Sequence, residues 1–100
     1  MIMIIYEVNI KTQPEIFAAY YDWLLPHVKQ MLQYAGFKTA TLQQDETDEC
    51  KITVSYQVAT REDLENYLQH HAKTMRDDGI NRFNDKFSIS RRIFKVLEAF

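Results

Sequence analysis

The residue types best suited to binding chemistry gather late in the chain. Arg61, Arg76, Arg82, Arg91 and Arg92 all stand in the last forty residues, and four of them share that stretch with His70, His71, Phe83 and Phe87. The lysines are spread along the whole chain, so the clustering is specific to the guanidinium. A planar, permanently charged fork matches carboxylate and phosphate geometry better than a point charge does. Arg91 and Arg92 are consecutive in an alternating segment and must point to opposite faces of a strand, so one lies on a sheet surface where it needs an anion. Glu7 on a neighbouring strand is the protein partner at hand, and an anionic ligand is the alternative. Arg82, beside Phe83 on an apolar turn, and Arg92 are the candidate anion clamps. Arg76 falls in the last turn of a helix, where a cation complements the dipole and Asp77 and Asp78 can pair with it.

The histidines offer proton transfer. His71 falls on the apolar stripe of one helix and His27 on or beside the stripe of another, so the two can meet over the core or at its rim. A partly buried imidazole beside a phenol such as Tyr56 forms an acid/base pair, and the plainer alternative is a core histidine bonded to a tyrosine or a carbonyl. His70 points to solvent. Trp23, with Tyr20, Tyr21 and Tyr34, can line a pocket for a planar molecule or serve simply as core. No phosphate-cradling glycine loop, nucleophile elbow, HExxH motif or paired-carboxylate arrangement is present.

These residues must be positioned by a single domain spanning 1–100. One hundred residues with a 46% hydrophobic and 13% aromatic content bury enough surface to fold without staples. Two glycines and two prolines leave no room for a linker. A net charge of −2 is far from the basic footprint of a nucleic-acid binder. The lone Cys50 excludes an internal disulfide, argues against a zinc site and reads as a buried thiol. The apolar run Met1 to Ile5 is too short for a signal peptide or a membrane span, so a cytoplasmic protein without metal or cofactor is expected.

Alternation over residues 2–10 predicts a strand, and Thr12 with Glu15 predicts a capping box with Pro14 in the first turn of the following helix. That helix carries Ile16, Phe17, Tyr20, Leu24, Val28 and Met31 on one stripe, should kink or break near Leu24 because of Pro26, and should end at Gly36. Residues 37–45 and the sharply two-faced run from Cys50 to Val58 predict two strands joined by a polar hairpin turn from Asp45 to Glu49. Thr60 with Asp63 predicts the cap of a second helix carrying Leu64, Tyr67, Leu68, His71 and Met75, closed by Gly79. A short turn with Ile80, Phe83 and Phe87 and a strand over 88–97 complete the order β-α-β-β-α-β. This is the α+β ferredoxin-like pattern, a four-stranded antiparallel sheet with both helices on one face. The bare face would carry Met3, Ile5, Thr53, Ser55 and Gln57, with Arg92, Phe94 and Val96 or with Arg91, Ile93 and Lys95. A mixed surface of this kind suits a second copy of the chain.

Several segments resemble a family of small bacterial proteins classed as a domain of unknown function. They are Ile4-Ile5-Tyr6-Glu7-Val8-Asn9, Trp23-Leu24-x-Pro26-His27, Gly36-Phe37, and the series Tyr67-Leu68-x-x-His71-Ala72, Met75-Arg76, Arg82-Phe83 and Arg91-Arg92. That family is similar in architecture to the dimeric α+β barrels, which include antibiotic-biosynthesis monooxygenases, haem-degrading monooxygenases and stress-responsive proteins. The resemblance implies a homodimer whose sheets pack into a barrel, and it implies no activity. Asn9 and Tyr67-Leu68 are similar to positions of the haem-degrading members, but Asp77 or its neighbours stand where those carry an iron-ligating histidine, so specific haem binding is not expected.

The sequence therefore predicts a homodimer that binds a small, possibly anionic, organic molecule between helices and sheet, with His71, His27, Tyr56, Arg82, Arg92 and Trp23 as ligand-binding candidates. The alternative is a non-catalytic interaction module. A cavity of several hundred cubic ångströms with convergent His, Tyr and Arg favours the first. A filled core with every arginine paired internally favours the second.

Overall fold

Alternating apolar residues and a pair of amphipathic stripes produce a four-stranded antiparallel sheet covered by helices. The computed structural model describes residues 3–100, so Met1 and the expected strand start at Ile2 lie outside the described residues. Strand β1 is Ile4–Thr12, and a 3-10 turn over Pro14–Ile16 leads into helix α1, Phe17–Met31. Strands β2, Phe37–Asp45, and β3, Asp48–Val58, form a hairpin. Helices α2, Arg61–His70, and α3, Ala72–Phe83, precede strand β4, Phe87–Lys95. The sheet order is β2-β3-β1-β4.

Register decides which residues share a face, because directly opposed residues of an antiparallel pair project to the same side. Tyr6 stands opposite Tyr56 on β3 and Ile93 on β4, and Val8 stands opposite Val54 and Arg91. These residues lie beneath the helices, where Tyr20, Leu24, Leu64 and Tyr67 complete the buried core. One step along, Glu7 stands opposite Ser55 and Arg92, and Ile5 opposite Gln57 and Phe94. The bare face thus carries Arg92 and Phe94, while Arg91 and Ile93 belong to the helix side.

Several boundaries depart from expectation. Thr12 does not cap α1. It ends β1 opposite Phe87, buried at 3% exposure with its hydroxyl unpartnered, because β4 is long enough to extend the ladder past Ile10. Gln13 takes the cap position without a side-chain bond. Pro26 does not break α1, which runs unbroken from Phe17 to Met31. The carbonyl it leaves unpaired belongs to Asp22, and both residues are on the exposed side where water can satisfy it. Gly36 lies beyond the helix end, in the loop before β2, where its φ of +82° suits glycine. A Cβ there would run into the Asp63 carboxylate.

The second helix is two helices. Thr60 caps α2 as predicted, its hydroxyl accepting from the Asp63 N–H at 3.1 Å. The backbone then turns at His71, with φ −128° and ψ −27°, where the imidazole lies flat against Tyr34 at 4.3 Å. Gly79 does not terminate anything. It is buried in the body of α3, where its missing side chain lets the helix approach Trp23, and an added Cβ would sit 3.2 Å from that indole. Asn84, with φ +56°, follows α3 in its place, Ile80 and Phe83 belong to α3, and Phe87 opens β4. Cys50 is half-buried.

Candidate functional site

Helical spacing brings the site together. Tyr20, Trp23, Leu24, His27 and Met31 recur at three- and four-residue steps on the inner face of α1, and Ala72, Met75, Arg76 and Gly79 do the same on α3. With Tyr67 of α2 above and Tyr6, Tyr56, Ile89 and Arg91 of the sheet below, they enclose a cavity of about 70 Å³. No carboxylate lines it. The walls are aromatic faces, phenol hydroxyls and two guanidinium groups.

Burial disfavours a charged phenolate and pushes Tyr20, Tyr56 and Tyr67 far above the ordinary tyrosine range, so all three are neutral hydrogen-bond donors. Burial also raises Tyr6, and the adjacent Arg91, through its charge and a hydrogen bond, and then Arg76 draw it part of the way back. Arg91 acts in the same sense on Tyr20, and both Arg91 and Arg76 on Tyr67. Tyr6 and Tyr67 are thus the two phenols on which both cations act.

His27 is held rigidly. Its Nδ1 donates to the Trp23 carbonyl at 2.7 Å, since a carbonyl can only accept, and its ring packs on the Trp23 indole at 4.0 Å. The opposite nitrogen, Nε2, lies 4.0 Å from the Asp78 carboxylate. Asp77 pairs with Lys73 at 2.7 Å. Neither aspartate pairs with Arg76, contrary to expectation, because residues one and two apart on a helix diverge in direction. Among the described residues neither Arg76 nor Arg91 forms an ion pair.

Of the six candidates, the structure gathers His27, Trp23 and Tyr56 at this cavity and places three elsewhere. His71 sits at the α2–α3 junction, stacked on Tyr34, and makes no ring contact with His27. Arg82 is exposed at the end of α3, with its guanidinium carbon 5.9 Å from the Phe83 ring centre. Arg92 lies on the bare face, where its Nε and Nη2 reach Glu7 Oε1 at 2.9 and 2.8 Å, the internal pair foreseen for it. There the Asn9 amide also donates to Glu7 at 2.9 Å and Thr53 donates to Asn9 at 2.8 Å, a polar chain across three strands. An open hollow of about 690 Å³ on this face is lined by Asn9, Lys11, Gln43, Lys51, Ser90 and other polar groups. Asn9 and Tyr67, which carry the resemblance to haem-degrading proteins, consequently lie on opposite sides of the sheet.

The sequence reading missed Tyr6, Tyr67, Arg76 and Arg91 as site residues. The signal for Arg91 was its register: opposite Val8, it must share the face that Val8 shares with the core. Among the described residues no group of three or more His, Cys, Asp or Glu could hold a metal ion.

The fold agrees with the comparisons. Residues 3–97 match the model of the domain of unknown function DUF4286, and the chain belongs to that family. Its architecture is that of the antibiotic-biosynthesis-monooxygenase-like α+β proteins. A provisionally named antibiotic biosynthesis monooxygenase from Deinococcus radiodurans superposes with a TM-score of 0.82 at 13% identity, covering 97% of this chain and 95% of that one. SnoaB, a cofactor-independent oxygenase from Streptomyces nogalater, superposes with a TM-score of 0.80 at 7% identity over 97% and 95% of the two chains. Rv0793 from Mycobacterium tuberculosis gives 0.78 at 8% identity, covering 97% of each. At such identities the likeness is one of fold alone. No curated protein matches the sequence, and no helix among the described residues is long and apolar enough to cross a membrane.

Proposed function

We propose that this protein is a cytosolic homodimer that binds a small planar organic molecule in the aromatic cavity between its helices and its sheet. The observation that carries the reading is the convergence of Tyr6, Tyr20, Tyr56, Tyr67, Trp23 and His27 with two guanidinium groups on one cavity free of carboxylates. Four buried phenols gather there beneath two solvent-exposed guanidinium groups that have no ion-pair partner among the described residues, and buried polar groups are retained where they find partners. Homodimerisation through the bare face is supported by Ile5 and Phe94 there, and by the fold shared with the barrel proteins. The small volume favours the competing reading, an interaction module with a nearly filled core.

Thermal-shift screening of small aromatic compounds tests the binding reading. A ligand at a hundredfold excess over its Kd should add roughly 2.7 kcal/mol of stability. Gly79→Ala places a methyl against Trp23 and Phe87 in the cavity wall and should weaken that effect. Sedimentation at micromolar concentration should show twice the 11.9 kDa chain mass. A monomer that no compound stabilises would overturn both parts.

A further inference from the structure

Two cations at the rim of an aromatic cavity repel one another, and nothing in the described residues neutralises either. Arg76 projects from α3 and Arg91 from β4, on opposite walls of the same opening. Asp77 pairs with Lys73 and Asp78 lies 4.0 Å from His27 Nε2, while the arginine on β4 that has an ion pair is Arg92, on the other side of the sheet. Arrangements with matched charge were available a few residues away on both elements.

We infer that Arg76 and Arg91 form a clamp for the carboxylate of a small planar acid whose flat body lies against the Tyr6, Tyr67 and Trp23 rings; this rests on the binding reading above. A carboxylate accepts bidentate bonds from guanidinium forks and further bonds from neutral phenols, and the buried Tyr6 and Tyr67 hydroxyls are such donors. Both arginines and both phenols line the same cavity. The volume sets the size of the acid. About 70 Å³ is roughly half the 150 Å³ of a cavity known to take benzene, so the body is at most a single ring, and admitting it requires the α3 wall to shift. That wall is bounded by the irregular backbone at His71 and Asn84.

Isothermal titration with benzoate, its neutral isostere benzamide and inorganic phosphate tests the clamp. Benzoate should bind, with benzamide and phosphate each weaker by about tenfold or more. Arg76→Gln and Arg91→Gln should each weaken benzoate by about tenfold, while Arg82→Gln, the same charge change on an arginine outside the cavity, should stay within roughly twofold. Both Arg76 and Arg91 are solvent-exposed, so neither variant should compromise folding, and each reads the clamp independently of the other. Benzamide binding as tightly as benzoate, with that binding weakened in Gly79→Ala, would overturn the clamp but keep the cavity as a binding site. Binding of none of the three overturns the clamp, and silence from neutral aromatics as well overturns the binding reading with it.

Discussion

Arg91 and Arg92 are neighbours in sequence and opposites in circumstance. Arg92 points to the bare face and finds Glu7, which also receives Asn9, so its charge is met within the chain. Arg91, on the helix side, is solvent-exposed at the edge of the aromatic cavity and finds no carboxylate. The side that looks outward is electrostatically closed, and the side that looks inward is open. The charge pattern of a small α+β sheet thus separates a face where an arginine is met by a carboxylate of its own chain from a face where it is not.

The contrast can be broken most forcefully from the inner side. Tyr20 is 1% exposed and packs against Trp23, Phe83 and Phe87 with ring centres 5.1 to 5.4 Å away. Tyr20→Ala should cost about 3–5 kcal/mol in urea denaturation, the range for emptying a large aromatic from a core. A loss below about 1 kcal/mol would show that the inner face is not the packed core described here.

On the outer side, Glu7→Gln should cost only about 0.2–1 kcal/mol in dilute protein, because its partner Arg92 is well exposed there. If a second copy covers this face, the pair becomes desolvated and the loss grows with protein concentration, toward the few kcal/mol typical of a broken buried pair. Melting curves over a hundredfold concentration range, read with sedimentation, separate the two regimes.

The adjacent arginines sharpen the contrast further. Arg92→Met removes an ion pair and should lower ligand-free stability by a few tenths of a kcal/mol, whereas Arg91→Met removes an unpaired cation facing Arg76 and should leave it unchanged or raise it by about as much. Equal losses from both variants would place an unseen anionic partner at Arg91.

The smallest effect is a pH dependence confined to the outer face. The Asn9 amide and then the Arg92 guanidinium hold the Glu7 carboxyl below the ordinary glutamate range. A depressed carboxylate pKa contributes stability that is complete above its unfolded value, about 4.3, and is lost as pH falls through the folded one. The wild type should therefore lose slightly more stability than Glu7→Gln on acidification below about pH 4. Parallel curves for the two would remove Glu7 from the network.

Much of this was legible in one dimension. The period-two alternation in residues 50–58 and the three- and four-residue stripe from Tyr20 to Met31 determined strands, helix and their order, since each period allows only one face to be apolar. The Thr60 cap was legible because its bond closes within three residues. Trp23 and His27 could be placed together because they share one helix face, and the consecutive arginines had to part. What pattern could not decide was anything that depends on a neighbour distant in sequence. Thr12 became strand because Phe87 reaches it, α2 and α3 parted where His71 meets Tyr34, and Gly79 is a site of close approach because Trp23 comes from another helix. Which arginine faced the cavity was likewise settled by the pairing of β4 with β1, because a shift of one residue in that register would have exchanged Arg91 for Arg92.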